Sequence, residues 1–145
     1  NSELRVKAGD TTRFPLSGAV VPATDIFKNG LPLTGQSDHV ANLSFGFQDD
    51  ESLSEQTILL NYASNRVAFR GPTGQPDLVE KPGLRLDVVL RQGLKLFGSE
   101  LELKLEGRNL TNTRYQEFQR LNASRIDTNT YVLGRTFQAS LSAKF

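Results

Sequence analysis

The stretch Tyr131-Val-Leu-Gly-Arg-Thr-Phe-Gln-Ala-Ser-Leu-Ser-Ala-Lys-Phe145 alternates with period two and ends on an aromatic residue. Reading back from its end, Phe145, Ala143, Leu141, Ala139, Phe137, Arg135, Leu133 and Tyr131 share one face. Lys144, Ser142, Ser140, Gln138, Thr136, Gly134 and Val132 share the other. Successive side chains of a β-strand point to opposite sides, so the pattern predicts one strand over Tyr131–Phe145. Strands of ordinary soluble sheets run about 5–6 residues, whereas a tilted strand crossing a bilayer needs roughly 9–11. The length and the clean division predict a small polar face toward water and an apolar face toward lipid.

Working outward, the same period marks five earlier strands. Leu84–Gln92 sets Leu84, Leu86, Val88 and Leu90 against Arg85, Asp87, Val89 and Arg91, and Glu100–Asn109 sets Leu101, Leu103 and Leu105 against Glu102, Lys104, Glu106 and Arg108. Gln56–Arg70 carries Ile58, Leu60 and Tyr62 on its outer face, with an irregularity expected around Ser64–Arg66. Asp38–Gln48 alternates Ala41, Leu43, Phe45 and Phe47 with Asn42, Ser44, Gly46 and Gln48, and Ser2–Val6 reads as the end of a first strand. The connections differ in kind. Residues 7–34, 71–82 and 110–130 are long and rich in turn formers, whereas 49–54 and 93–99 are short. Bacterial outer-membrane barrels sort their loops this way, with short periplasmic turns and long extracellular loops. The expectation is therefore an all-β, antiparallel up-and-down meander of about six long strands. It forms part of a transmembrane β-barrel, an open sheet by itself, with its C-terminal end periplasmic.

Charges on the fourth and fifth strands fall only on their polar faces. One charge facing lipid near the midplane costs about 2–4 kcal/mol, so Arg85, Arg91, Lys104 and Arg108 are expected to face the lumen. Their alternating signs predict a hairpin turning at Lys95 and Leu96. That register sets Arg85 opposite Glu106 and Asp87 opposite Lys104.

Composition narrows the function class. The chain has 145 residues, 37% hydrophobic and 23% charged, and no run approaching the roughly 18 apolar residues of a helical span. A barrel escapes that test because its strands alternate. A net charge of +1 without a basic cluster gives no case for nucleic acid. Cysteine is absent, which excludes disulfides and thiolate metal sites. The chain starts without methionine or a signal peptide, so it is expected to be a piece of a longer outer-membrane protein.

Several segments, in this order, resemble the C-terminal part of a TonB-dependent outer-membrane receptor. They are Leu31-Pro-Leu-Thr-Gly-Gln-Ser-Asp-His39 running into Val40-Ala-Asn-Leu-Ser-Phe-Gly-Phe47, Thr57-Ile-Leu-Leu-Asn-Tyr62, Pro76-Asp-Leu-Val-Glu-Lys-Pro82 and Leu86-Asp-Val-Val-Leu90. Gly107-Arg-Asn-Leu-Thr-Asn-Thr-Arg-Tyr115 and Gly134-Arg-Thr-Phe137, leading to Phe145, complete the set. The resemblance implies a barrel of about 22 strands, plugged by an N-terminal domain. It also implies uptake of a siderophore, cobalamin, a glycan or another scarce nutrient, powered by the inner-membrane TonB complex. The chain would supply the last six strands, in the outer membrane of a Gram-negative bacterium. Plug, TonB-contacting segment and remaining strands would lie outside it. Its partners would be outer-membrane lipid, the barrel assembly machinery and, through the missing part, TonB. Alternatives are a segment of a passive porin and a soluble β-sandwich for binding or adhesion.

Phe137, Ala139, Leu141, Ala143 and Phe145 together look like the signal read by barrel assembly machinery, with Tyr131 and Phe145 as interfacial aromatics at the two ends of one strand. Arg114, Tyr115, Phe118, Arg120 and Arg125 are candidates for meeting an anionic or sugar-like ligand at the extracellular mouth. The competing reading for each is a solvated loop. His39 beside Asp38 lacks a second ligand at usable spacing, and Asp49, Asp50 and Glu51 lack an ordered ligand loop, so no metal or other cofactor is expected. Sequons at Asn42, Asn109 and Asn122 read as coincidence. No nucleophile–base motif or phosphate loop suggests an enzyme.

Overall fold

The computed structural model describes residues 3–14, 17–71, 75–96 and 98–144. Its strands are β1 (Thr11–Arg13), β2 (Val20–Pro22), β3 (Val40–Asp49), β4 (Ser54–Ala63), β5 (Arg66–Phe69), β6 (Leu78–Glu80), β7 (Gly83–Leu96), β8 (Ser99–Arg108), β9 (Arg114–Leu121), β10 (Ser124–Val132) and β11 (Thr136–Lys144). One 3-10 turn covers Ala23–Asp25. The fold is all-β and its sheets are antiparallel. Two compact units are distinguished: Asn1–Asp38 with Ser64–Lys81 and Tyr115–Thr130, and His39–Ala63 with Pro82–Arg114 and Tyr131–Phe145.

The second unit holds a five-stranded sheet in the order β11-β8-β7-β4-β3. Each of its strands has 9 to 14 residues. Neighbours in the sheet follow chain order as in an up-and-down meander, with β5–β6 and β9–β10, which belong to another sheet, intervening in the chain. β3 and β4 join through residues 50–53, and β7 and β8 through residues 97–98, with Gly98 at φ 81°. The other two links are long and run through β5–β6 and β9–β10, so short and long connections alternate as expected. Both β11 and β3 are edge strands.

The first unit holds a four-stranded sheet ordered β10-β9-β6-β5 and the small pair β1-β2. Val67, Val79 and Phe118 stand side by side across β5, β6 and β9, and Phe118 is buried. Arg70, on the same unit, donates to Asp77 and to the Pro32 carbonyl, while Asp77 also accepts from the Gly71 N–H, which ties this loop to the segment around Pro32.

Four expectations are corrected. Residues 110–130 are not a loop: β9 and β10 form there, with few apolar side chains to betray their alternation. The last strand is not continuous. Tyr131 and Val132 belong to β10, and the chain breaks at Gly134, whose φ of 75° suits glycine and interrupts a strand. Tyr131 is therefore not an end of the C-terminal strand. No strand forms over residues 3–6, where Glu3 makes a single bridge with Pro32.

The hairpin register also differs. β7 runs on to Leu96, so Glu106 faces Val89 and Lys104 faces Arg91, instead of Arg85 and Asp87. The break foreseen near Ser64 is present, between β4 and β5.

Where β8 ends, the chain leaves the ladder as Asn109–Thr113 and is stitched back by side chains. Asn109 donates its backbone N–H to Asp87 Oδ1 at 2.7 Å, and its Nδ2 donates to the Gly134 carbonyl at 2.7 Å. The Leu110 N–H donates to the Leu86 carbonyl at 2.8 Å, and both Thr111 and Thr113 hydroxyls donate to the Leu84 carbonyl. Three strands are tied at one end of the sheet by these bonds.

Candidate functional site

The site with the clearest chemistry is the pair of faces of the five-stranded sheet. Direct cross-strand partners share a face, so the register alone defines each surface. On one face, Phe45, Ile58, Val88, Gly107 and Phe137 form a row across all five strands. The next row, toward the short turns, is Phe47, Gln56, Leu90, Leu105 and Ala139. Leu43, Leu60 and Leu86 extend the surface on one side, and Leu101, Leu103, Leu141 and Ala143 on the other. Leu105, Leu141 and Phe137 are exposed, Phe137 at 72%, while Leu101 and Leu103 are half-buried.

Opposite lie Gly46, Thr57, Val89, Glu106 and Gln138 in one row, and Gln48, Glu55, Arg91, Lys104 and Ser140 in the next. The charged residues expected on a polar face are all there. Their ion pairs run mainly along the strands. Arg85 Nε lies 3.4 Å from Asp87 Oδ1, Arg108 Nη2 lies 2.9 Å from Glu106 Oε2, and Lys104 also pairs with Glu106. Residues i and i+2 of a strand are same-face neighbours, so one buried carboxylate serves two cations. Arg91 Nη1 crosses to Glu55 Oε2 at 3.0 Å, which relieves its position opposite Lys104. Its Nε is buried without a partner.

Phe137, Ala139, Leu141 and Ala143 stand in phase on β11, opposite Gly107, Leu105, Leu103 and Leu101. Phe145 lies outside the described residues. Of the mouth candidates, the structure joins three. Arg125 and Arg120 place their guanidinium carbons 4.0 and 5.3 Å from the centre of the Phe118 ring. Phe118 is thus a buried anchor for two cations and cannot itself meet a ligand. Tyr115 points to the other side of β9 and donates its hydroxyl to Glu117 at 2.6 Å, while Arg114 opens β9, exposed. Arg125 is also paired with Asp127.

On the Tyr115 side, Arg66 grips Glu80 through two bonds of 2.8 and 2.9 Å, and this carboxylate raises the arginine's pKa further. At the β3–β4 turn, the Ser52 hydroxyl and then the Ser52 and Glu51 backbone N–H groups hold the Asp49 carboxyl below its usual range. His39 is exposed directly before β3. Among the described residues no group of three His, Cys, Asp or Glu side chains is placed to hold a metal. Sequence reasoning missed the Asn109 stitch and a polar corner at Asp49, Ser54, Gln56 and Gln92 on the mainly apolar face. The odd glutamine in each leucine-rich phase was the available signal for that corner. No family model matches the chain, and no curated protein or solved structure does either.

Proposed function

We propose that the five-stranded sheet is a lipid-facing wall of a bacterial outer-membrane β-barrel. The observation that carries this reading is the exposed apolar face, continuous across strands of 9 to 14 residues, backed by a face holding every charge of the sheet except Asp49, which stands opposite Ser54 at the turn end of β3. A soluble sandwich would bury Leu105 and Leu141 against a second sheet.

The stagger of the turns supports the same reading. Carried across the Ser54↔Gln92 register, the centre of the β3–β4 turn falls between Leu94 and Lys95, three residues short of the centre of the β7–β8 turn. Three residues are about 10 Å along a strand, and the two turns are separated sideways by two spacings of about 4.8 Å. If both turns lie at one membrane surface, the strands tilt by about 45°, at the upper end of the roughly 35–45° of outer-membrane barrels. At that tilt, the apolar phase from Leu84 to Leu90 on β7 spans about 14 Å, with Gln92 following it toward the turn.

Within that frame the chain is part of a TonB-dependent receptor for a scarce nutrient of the siderophore, cobalamin or glycan class. Its β11 carries the signal for barrel assembly. The plug and the TonB contact belong to other parts of the receptor.

The absence of cysteine makes single-cysteine spin labelling clean. In lipid vesicles, labels at Leu86, Val88 and Leu90 are expected to collide with dissolved oxygen, and labels at Asp87, Val89 and Arg91 with a water-soluble nickel chelate. A profile without this two-residue alternation would sink the lipid-wall reading. Uptake of the nutrient should stop when the inner-membrane proton gradient is collapsed; uptake that continues identifies a passive porin instead.

A further inference from the structure

The lipid-facing surface has one polar notch. A cleft of about 200 Å³ lies over two rows of β4, β7 and β8: Ser54, Gln92 and Leu103 in one, Gln56, Leu90 and Leu105 in the other. Three of these side chains are polar and adjoin, and three are leucines that form an apolar wall beside them. Arg91 also borders the cleft but directs its guanidinium to Glu55 of the opposite face, so no lining residue brings a formal charge from the apolar side, and the charge nearest in the row is the Asp49 carboxylate, opposite Ser54.

The hydrogen-bond inventory of the notch is unbalanced. Gln92 spends Nε2 on the Ser52 and Gly93 carbonyls, at 2.7 and 3.0 Å. Gln56 Nε2 reaches only Ser54 Oγ, at 3.4 Å. Among the described residues neither amide oxygen receives a donor, so two acceptors are left unmet. In hydrocarbon such groups are costly unless a donor meets them. Depth decides which donor is at hand. Counted from the centres of their turns along strands tilted by about 45°, Gln56 and Gln92 lie roughly 11 and 13 Å inward. That is the base of the headgroup layer, whose thickness is roughly 5–8 Å per leaflet, when the turn tips stand clear of it.

We propose that this notch binds the headgroup of a phosphoethanolamine phospholipid of the periplasmic leaflet. Its ammonium donates to Gln56 Oε1 and Gln92 Oε1, and the first acyl carbons lie along Leu90, Leu103 and Leu105. The match is between two neutral acceptors and a compact group with three N–H donors. An anionic headgroup finds no cation on this face, and a trimethylated one has no N–H to give. The inference rests on the lipid-wall reading, and its test separates the two.

The intact protein, in mild detergent, is mixed with phosphatidylethanolamine, with its mono-, di- and trimethylated forms and, separately, with phosphatidylglycerol, all carrying the same chains, and retained lipid is counted by native mass spectrometry. Retention is expected to fall stepwise with each methyl group, at least fivefold over the series. Gln92→Leu together with Gln56→Leu should flatten the series, whereas Gln92→Glu should preserve it. Equal retention of all four lipids, or preferential retention of phosphatidylglycerol, overturns the proposal. A spin label at Val88 is read in vesicles for each variant. Oxygen contact at Val88 with a flat lipid series defeats the notch alone. Loss of oxygen contact in the otherwise unaltered protein defeats both readings.

Discussion

At the scale of single residues, Asn109 shows how much one amide can hold. It is 4% exposed with φ 53°, and it accepts from the Thr113 N–H at 2.9 Å while donating to the Thr113 and Gly134 carbonyls. Asn109→Ala removes these bonds and leaves an L-residue with a methyl in left-handed backbone, so it should cost about 2–3 kcal/mol, read as a lower urea midpoint in micelles. Asn109→Gly loses the same bonds without the backbone strain and should recover about 1 kcal/mol of that. A loop at Asn-Leu-Thr-Asn-Thr was legible from composition. Its bonds were not, because Leu84, Asp87 and Gly134 are distant in the chain and become neighbours only through the register. Asp49 gives a second test. With its pKa lowered by Ser52, the turn's contribution is complete above the ordinary carboxylate range near pH 3.9 and fades as pH falls through the folded value. Ser52→Ala should move the Asp49 titration upward, as followed by the carboxyl carbon shift.

At the scale of elements, strands and faces were readable where apolar residues recur every second position, as in β3, β7, β8 and β11. β9 escaped because its one buried apolar residue, Phe118, is flanked by Gln116 and Arg120 in its own phase. The β7–β8 register escaped for a different reason. Opposite charges were expected to choose partners across the hairpin, yet Glu106 is satisfied by Lys104 and Arg108 along its own strand, which leaves the turn free to set the pairing. Two cysteine pairs discriminate the registers. Arg91→Cys with Lys104→Cys places the residues directly opposite, within reach of a disulfide, and should cross-link under mild oxidation. Asp87→Cys with Lys104→Cys is offset by four residues, about 14 Å, and should stay reduced. Cross-linking of the second pair alone would restore the charge-matched register.

At the scale of the whole molecule, what distinguishes this chain is which solvent its surfaces ask for. Among the described residues only Ala23 and Phe118 are buried hydrophobic side chains, so hydrophobic burial within the chain cannot be what organises the long sheet. Its inner strands satisfy their backbone groups against both neighbours, β3 and β11 stand at its edges, and its apolar face is exposed. In the proposed reading that face meets lipid and the edges meet further strands of the barrel. That division was legible from alternation because it depends on the parity of a strand, not on its partners. A parity test is correspondingly sharp. Val88 and Val89 are chemically the same and adjacent on β7, but Val88 stands between Ile58 and Gly107 while Val89 stands between Thr57 and Glu106. In a barrel wall, Val88→Arg puts a charge against hydrocarbon and should cost about 2–4 kcal/mol of folding free energy in vesicles. Val89→Arg meets water and the Glu106 carboxylate, and should stay within about 1 kcal/mol of the parent. In water-soluble form, with no lipid to discriminate the faces, the two substitutions would differ little. Equal costs in vesicles would therefore count against a lipid-facing sheet however well its strands alternate.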